Sequence, residues 1–318
     1  MTYPQGGMAS GGVLRDHGHI AGGDGGLLNP ETALSPQPEV DFGDGSDGDV
    51  TLVADLVLTR EMSFNNLSIN AGGKIYADGF KIKVKGKFTI AVGREVLAIS
   101  AVSLTGGAGA AGVGGAGGSA AFVTRRPEIS LPTAGAAGGN GVGVGVNVSV
   151  SNVPLDVDLI AVTLLHEGRL WAGAGGAGGG AVGNAPTAGG VPLRVLAGAK
   201  GGRGADGIYV GGGNQLKGGG GGGGGGGLLE IWANEIDNNG IVFALGGNGG
   251  SGEGDANAQA GGGGGGGGGA IIIFYKTLSG GGLGVRNVAG GVGGASFGGV
   301  ADGLPGAAGY SYAMKIGA

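Results

Sequence analysis

Two uninterrupted glycine runs constrain this chain more than any other feature. Gly218–Gly227 leads directly into LLEIWANEID, and Gly261–Gly269 leads directly into AIIIFYKTLS. A free glycine run is ordinarily a flexible linker. These runs lack the serine and charge that such linkers carry, and both stand beside strand-forming residues, so we expect them to be ordered. Ordering glycine costs ~1–2 kcal/mol per residue in backbone entropy, so ordered runs need many backbone partners.

Further glycine-rich tracts are available as those partners. They begin at Gly106, Gly135, Gly173, Gly246 and Gly290. Because they have almost no side chains, left-handed threefold helices of glycine can lie close enough for lateral N–H···O=C bonds and Cα–H···O contacts. We therefore expect the tracts to pack against one another as polyglycine II helices.

The apolar segments between the tracts repeat. The stretches that begin at Leu228 and Ala270 align with an offset of roughly 42–44 residues, which is typical of repeat architectures. Each is interpreted as two short strands joined by a turn, such as Asp237–Gly240. A further copy with the same order of strand, turn, strand and glycine tract begins at Leu159, and a looser copy begins at Ile90. The predicted fold class is all-β, a repeat-built β-solenoid or sandwich with ordered polyglycine II helices packed beside the strands.

Composition excludes several classes of protein. Glycine supplies 89 of the 318 residues, aromatic residues are only 5%, and there is no cysteine, which rules out disulfides and thiolate metal sites. The formal net charge of −5 gives no reason to expect a nucleic-acid partner. The first residues do not have the pattern of a secretory signal, and no apolar stretch reaches the ~20 residues of a membrane span, so neither is expected.

Three regions are predicted along the chain. Residues 1–40, which contain four prolines, are expected to be an extended N-terminal docking arm. Residues 41–105 are expected to form a compact β module. Residues 106–318 are expected to form the glycine-rich repeat body.

Two segments alternate as strands do. One is VGVGVNVSV, residues 142–150, and the other is FKIKVKGKF, residues 80–88. The second predicts an apolar face and a lysine face, made respectively of Phe80, Ile82, Val84 and Phe88 and of Lys81, Lys83, Lys85 and Lys87. The lysine row could hold an anionic polymer, but we favour a solvated face that discourages aggregation of the sheet.

Three motifs raise the question of a metal site, and each has a simpler interpretation. DFGDGSDGDV offers oxygen ligands of the kind that Ca²⁺ prefers, although Asp-Gly series are more often turns. Gly201–Tyr209 fits one copy of a calcium-binding nonapeptide around Asp206, whereas a calcium roll needs tandem copies. His17 and His19 could meet their copies in a threefold assembly, or lie exposed and unliganded. The four carboxylates of the first motif are Asp41, Asp44, Asp47 and Asp49. No metal ligand is assigned in any of the three motifs.

Catalytic signals are weak. GxGxxG matches arise from composition alone, and Lys217 is followed by glycine rather than by the Ser or Thr of a phosphate loop. His166 has no serine or cysteine near it in sequence, so a catalytic triad has no local support. Asp156 and Asp158 lie on one face of an apparent strand and could form the carboxylate pair of a glycan hydrolase. We expect no enzyme and no cofactor.

Two further blocks carry a resemblance. DHGHIAGGDGGLLNP, Asp16–Pro30, and the block from Phe42 to Ile69 that begins FGDGSDGDVT precede the glycine runs. In this order they resemble the glycine-rich virion proteins of tailed bacteriophages. The resemblance implies a structural protein of a tail or tail fibre, exposed on the particle, with a role in host attachment. It also implies a homo-oligomer, with a trimer favoured, whose N-terminal arm docks on other virion proteins.

Three alternatives remain open. The chain could be an adhesin that binds a host receptor through loops at residues 251–260 and 181–191. It could be a glycan-degrading β-solenoid enzyme, for which Asp156 and Asp158 are the candidates. It could also bind ice, although threonine is sparse for that role.

Overall fold

The computed structural model describes residues 41–70, 72–98, 105–109, 115, 208–209, 218–254, 258–298 and 301–316. All of them belong to one compact unit, Asp41–Ala318. Strands are the regular secondary structure of these residues, and no helix occurs among them. In chain order the strands are β1 Asp49–Leu52, β2 Leu56–Val57, β3 Met62–Phe64, β4 Asn66–Ile69, β5 Ile75–Tyr76, β6 Ile82–Ile90, β7 Glu95–Leu97, β8 Ile208–Tyr209, β9 Leu228–Asn238, β10 Ile241–Phe243, β11 Ala258–Gln259, β12 Ala270–Leu278, β13 Val285–Asn287 and β14 Tyr310–Lys315.

Most strands pair parallel, in two sheets. The first sheet has the order β1-β4-β6-β9-β12-β14, with β3 also paired to β6, and the second has the order β13-β10-β7-β5-β2. The short strands β8 and β11 form a separate antiparallel pair. In the first sheet Leu228 pairs with Ala270, an offset of 42 residues, which confirms the predicted alignment of these two repeats.

Side chains from both sheets share one hydrophobic core. Phe64, Phe88 and Ile231 of the first sheet belong to the same buried cluster as Ile75 and Val96 of the second. The predicted alternation of residues 80–88 is confirmed: Ile82, Val84 and Phe88 are fully buried, and Phe80 packs against the core. A smaller buried cluster contains Leu228, Ala270, Ile272 and Phe274.

The glycine segments bond to one another side by side, and we call them the glycine array. The array comprises residues 106–109, 218–227, 246–254, 261–269, 289–295 and 303–309. Its N–H groups reach neighbouring carbonyls at every third residue, as in the bonds from Gly220, Gly223 and Gly226 to Gly261, Gly264 and Gly267 at 2.8–3.0 Å. A Cβ built on Gly265 would lie 2.0 Å from the carbonyl oxygen of Gly291. The array therefore has an interior of bare main chain.

Glycine content follows position in the array. Gly218–Gly227 and Gly261–Gly269 are buried throughout. Two neighbouring segments expose every third residue, and that residue carries a side chain: Leu245, Asn248 and Ser251 in one, Ala289, Val292 and Ala295 in the other. The segment 303–309 keeps glycine only at the inward positions 303, 306 and 309. Side chains occur where a segment faces outward, because there a Cβ meets no backbone.

The predicted fold class is wrong. The expected β-solenoid or sandwich with polyglycine II helices is not found: the described residues form two sheets of mainly parallel strands, and the glycine segments are neither helix nor strand. The expected units of two short strands joined by a turn are found among the described residues: β9 and β10 flank the turn at Asn239 and Gly240. The two strands belong to different sheets and do not pair with each other as a hairpin would, and β9 instead pairs parallel with β12, the equivalent strand of the next repeat.

Candidate functional site

The aspartate carboxylates of DFGDGSDGDV, residues 41–50, accept hydrogen bonds that stabilise the loop in which they lie. Asp41 and Asp44 each accept a backbone N–H two residues later, at 2.8 and 2.9 Å. Asp47 accepts the N–H of Ser63 at 2.7 Å and binds the guanidinium of Arg60. The carboxylate of Asp49 accepts the side-chain amides of Asn65 and Asn66 at 2.7 and 2.8 Å. The four carboxylates are therefore turned toward separate partners rather than toward a common point.

These contacts keep the carboxylates ionised well into acid. The backbone N–H of Ser46 is the largest of the hydrogen bonds that lower the pKa of Asp44 to about 2. The hydrogen bond from Arg60 holds the pKa of Asp47 below its ordinary value, against a smaller opposing effect of burial. The amides of Asn66 and Asn65 lower the pKa of Asp49 in the same way.

The lysine row of β6 faces carboxylates on both sides. Lys81, one residue before β6, has its Nζ 3.3 Å from the carboxylate of Glu230 in β9. Lys83 binds Asp41 at 2.7 Å, and Lys87 lies 3.1 Å from both Glu235 and Asp237. Lys85, the fourth lysine of the row, is exposed, and its Nζ lies 3.5 Å from the carbonyl oxygen of Asp44. The other three lysines could hold an anionic polymer only by giving up their carboxylate partners, so the structure favours a largely neutralised face.

Lys87 lies at the centre of a cluster of polar side chains on this face. The hydroxyl of Ser279 donates to Glu235 at 2.5 Å, and the N–H of Gly281 donates to Asp237 at 3.0 Å. The Ser279 hydroxyl first, and Lys87 second, lower the pKa of Glu235. A carboxylate with a lowered pKa is a weak base, so Glu235 is a poor activator of Ser279 as a nucleophile. The cluster ties β6, β9 and the turn after β12 together.

Among the described residues, Trp232 is the tryptophan that could stack against a sugar ring. Its indole N–H donates to Glu230 at 2.7 Å, and its ring lies 4.5 Å from that of Phe274. Lys81 stands 5.5 Å from the ring centroid, within the range of a cation–π contact. The indole is thus engaged by three neighbours and is only half-exposed.

Several residues singled out by sequence lie outside the described part of the chain. Of Gly201–Tyr209 the structure describes Ile208 and Tyr209, which form β8. Residues 255–257 of the predicted loop at 251–260, and the whole of 181–191, are likewise outside it. The remaining sites outside it are residues 142–150, the pair His17 and His19, the pair Asp156 and Asp158, His166 with Glu167, Trp171, Asp206 and Lys217.

Within the described ranges, no three histidine, aspartate or glutamate side chains converge closely enough to hold a metal ion. The same residues contain no helix of the length and apolar character needed to cross a bilayer.

Sequence reasoning missed the carboxylate partners of the lysines. Glu230, Glu235 and Asp237 are visible in LLEIWANEID, but assigning them to the lysines needs the pairing of β6 with β9, two strands far apart in sequence. A signal was present, since an acidic strand face and a basic strand face in one chain are complementary.

Comparison with known proteins identifies no relative. No family model matches the chain, and neither a curated protein nor a solved structure matches it.

Proposed function

We propose that this chain is a structural, non-catalytic protein of a tailed-bacteriophage particle. In this proposal it is an exposed component of the tail or a tail fibre and takes part in host attachment. The resemblance of Asp16–Pro30 and of the block from Phe42 to Ile69 to such proteins supports the viral setting. The glycine array carries the structural part of the proposal.

Ordering the glycine array has a high cost in backbone entropy, so such an array suits a rigid body. Each glycine gives up at least ~1–2 kcal/mol of backbone entropy when it is ordered. The interior positions have no space for a Cβ, as Gly263 and Gly265 show, so they have none for a ligand either. The polar groups on the neighbouring sheet face are paired with one another, as described for Lys87. A protein made in this way supplies shape and stiffness rather than a reactive pocket.

The proposal includes partners. Residues 1–40 would dock on other virion proteins, and the chain would form a homo-oligomer, with a trimer favoured. Nucleic acid is not a proposed partner, because the formal net charge is −5.

Localisation tests the proposal directly. Particles from a culture that carries the gene are purified on a density gradient and labelled with gold-conjugated antibody raised against the described body. We expect label at the tail or its fibres, and copies of the chain in the purified particles by mass spectrometry. A chain confined to the cell fraction, with unlabelled particles, would overturn the proposal.

Adsorption separates a structural role from that of a receptor-binding adhesin. Particles in which residues 255–257 of the loop at 251–260 and the whole loop at 181–191 are replaced by other sequences are compared with wild-type particles for binding to host cells; residues 251–254 are kept because they belong to the glycine array. If the chain is a structural component, both should adsorb equally well. Loss of adsorption with normal particle assembly would instead assign receptor binding to these loops.

A further inference from the structure

One pair of residues in the glycine array is chemically labile. Among the described residues, asparagine is followed by glycine at Asn239–Gly240 and at Asn248–Gly249, and the second pair lies in the array. In such a pair the backbone nitrogen of the glycine can attack the side-chain amide carbon of the asparagine, because glycine has no Cβ to hinder the approach. Whether Asn248 reacts therefore depends on what its side chain and the N–H of Gly249 contact.

The packing of the array requires glycine at position 249. A Cβ on Gly249 would collide with the carbonyl oxygen of Gly263, whereas position 248 is exposed and accepts a side chain. Asparagine has a structural role at this exposed position, because its side-chain oxygen accepts the N–H of Val292 at 3.0 Å. The labile pair is therefore a consequence of how the array is built.

The folded array engages both of the groups that would react. The N–H of Gly249 donates to the carbonyl oxygen of Val292 at 2.8 Å, and the side chain of Asn248 accepts the N–H of the same Val292. The glycine nitrogen attacks only after it gives up its proton, and a proton held in a hydrogen bond is released only when that bond opens. These two bonds should therefore suppress the reaction while the segments 246–254 and 289–295 stay together.

The bond from Gly249 is the middle one of a row. On either side of it, the N–H groups of Gly246 and Gly252 donate to carbonyl oxygens of the same segment, 289–295, at 2.9 Å. Breaking a bond at the centre of such a row requires the two segments to separate. Release of the Gly249 N–H is thus an opening of the array rather than a movement of one residue.

The other labile pair is engaged in a different way and lies outside the array. The N–H of Gly240 donates to the side-chain oxygen of Asn238, which is buried, at 2.8 Å. The side-chain amide of Asn239 donates to Asp237 at 2.9 Å. Asn239 therefore provides a second site with the same chemistry, against which Asn248 can be compared in one sample.

We propose that Asn248 is a site of spontaneous deamidation that reacts only when the glycine array opens, and that isoaspartate formed there prevents the array from closing again. The Gly249 nitrogen bonds to the side-chain carbonyl carbon of Asn248. The side-chain nitrogen takes up the proton that the glycine nitrogen releases and leaves as ammonia. Water then opens the cyclic succinimide at either carbonyl, which gives aspartate or isoaspartate. The reaction needs only water, and it does not depend on the viral function proposed above.

Isoaspartate does not fit the array. Its main chain runs through Cβ, so the backbone gains one carbon atom at position 248, and the three-residue spacing of the bonds to the segment 289–295 is lost. The rest of the segment has no space to absorb the shift, since even a Cβ on Gly250 would collide with the carbonyl oxygen of Gly107. Aspartate, by contrast, leaves the backbone unchanged and keeps an oxygen that can accept the N–H of Val292.

Ageing of the full chain in mildly alkaline buffer tests the first part of the proposal. Peptide mass spectrometry follows deamidation at Asn248 and Asn239, both in native buffer and in urea that unfolds the chain. We expect Asn248 to react about a hundredfold or more slowly in native buffer, because only the opened array reacts. A native rate at Asn248 equal to the unfolded rate would overturn the proposal, and protection of Asn239 in the same sample would show that the chain was folded.

Refolding tests the second part. Wild type and Asn248→Gln are aged in urea for the same time and refolded by dilution, each beside its own unaged reference. Glutamine closes the corresponding, larger ring far more slowly, so the aged variant should refold more completely than aged wild type. Both chains age alike at the other Asn-Gly pairs, so the difference isolates position 248.

The site of the damage is read from the refolded and unrefolded fractions after size-exclusion chromatography. Isoaspartate at position 248 should be concentrated in the unrefolded fraction. Unaged Asn248→Asp controls for the added charge, and it should refold with the urea midpoint of wild type. Chains that carry isoaspartate at position 248 and refold with that same midpoint would overturn the proposal.

Discussion

At the scale of single residues, the absence of a side chain is what positions the backbone. Gly263 and Gly265 have neighbouring carbonyl oxygens 2.0 Å from where a Cβ would stand. One segment away, Ala295 is exposed and has room for a larger group. Glycine is therefore required where a Cβ would point at a neighbouring segment of the array, whereas another small residue is tolerated where the Cβ would point outward.

Gly265→Val should destabilise the protein by about 3 kcal/mol, because the new side chain must displace packed backbone that cannot rearrange locally. The free energy of unfolding is measured by urea titration followed by circular dichroism. Ala295→Val is the matched control, and it should change stability by less than about 0.5 kcal/mol. Equal effects of the two substitutions would show that the run at 261–269 has no packed interior.

At the scale of elements, β6 shows how one strand serves two environments. Its inward residues join the core, and its residues Lys87 and Lys83 meet carboxylates of β9 and of the loop 41–48 respectively. A one-residue irregularity between Val84 and Lys87 shifts the pairing with β9, and Lys87 then faces Glu235. The loop 41–48 in turn depends on carboxylates that remain charged, which makes this part of the protein sensitive to acid.

Asp47→Asn should reduce the dependence of stability on pH. The pKa of Asp47 is lower in the folded chain than the ordinary 3.8. The stability that the Asp47 carboxylate contributes is therefore fully present at pH values above 3.8, and it is lost as the pH falls through the pKa of Asp47 in the folded chain. At pH 7 the substitution should cost about 1 kcal/mol, and the difference from wild type should shrink as acid protonates Asp47.

Urea midpoints between pH 2 and pH 7 measure this effect. Glu61→Gln alters a neighbouring exposed carboxylate that forms no ion pair with the described residues, and it serves as the control. A constant difference between Asp47→Asn and wild type across the whole range would contradict the proposed role of Arg60.

At the scale of the whole molecule, the sheets and the glycine array are one continuous backbone structure. Gly218–Gly227 runs directly into β9, and Gly261–Gly269 runs directly into β12. The hydrogen bond from Gly269 to Ala244 and that from Tyr310 to Gly269 lie at the junction of the two regions. Sheet and array should consequently unfold together.

Amide hydrogen exchange tests this coupling. The N–H groups of Gly220, Gly223 and Gly226 are bonded across the array and should exchange about a thousandfold or more slower than in the unfolded chain. Their protection should match that of β9 and β12 and should disappear with it when urea is added. Exchange at unfolded-chain rates throughout 218–227, with protected strands, would show that the array is not part of the folded core.

Sequence alone determined the features that depend on neighbours along the chain. The alternation in FKIKVKGKF assigned Ile82, Val84 and Phe88 to the core, because side chains along a strand alternate between its faces. The offset between the repeats brought Leu228 and Ala270 into register. The tertiary structure decided the direction of the strands and the carboxylate partners of Lys81 and Lys87. Those depend on which distant strands meet, and local periodicity carries no information about a strand's neighbour in the sheet.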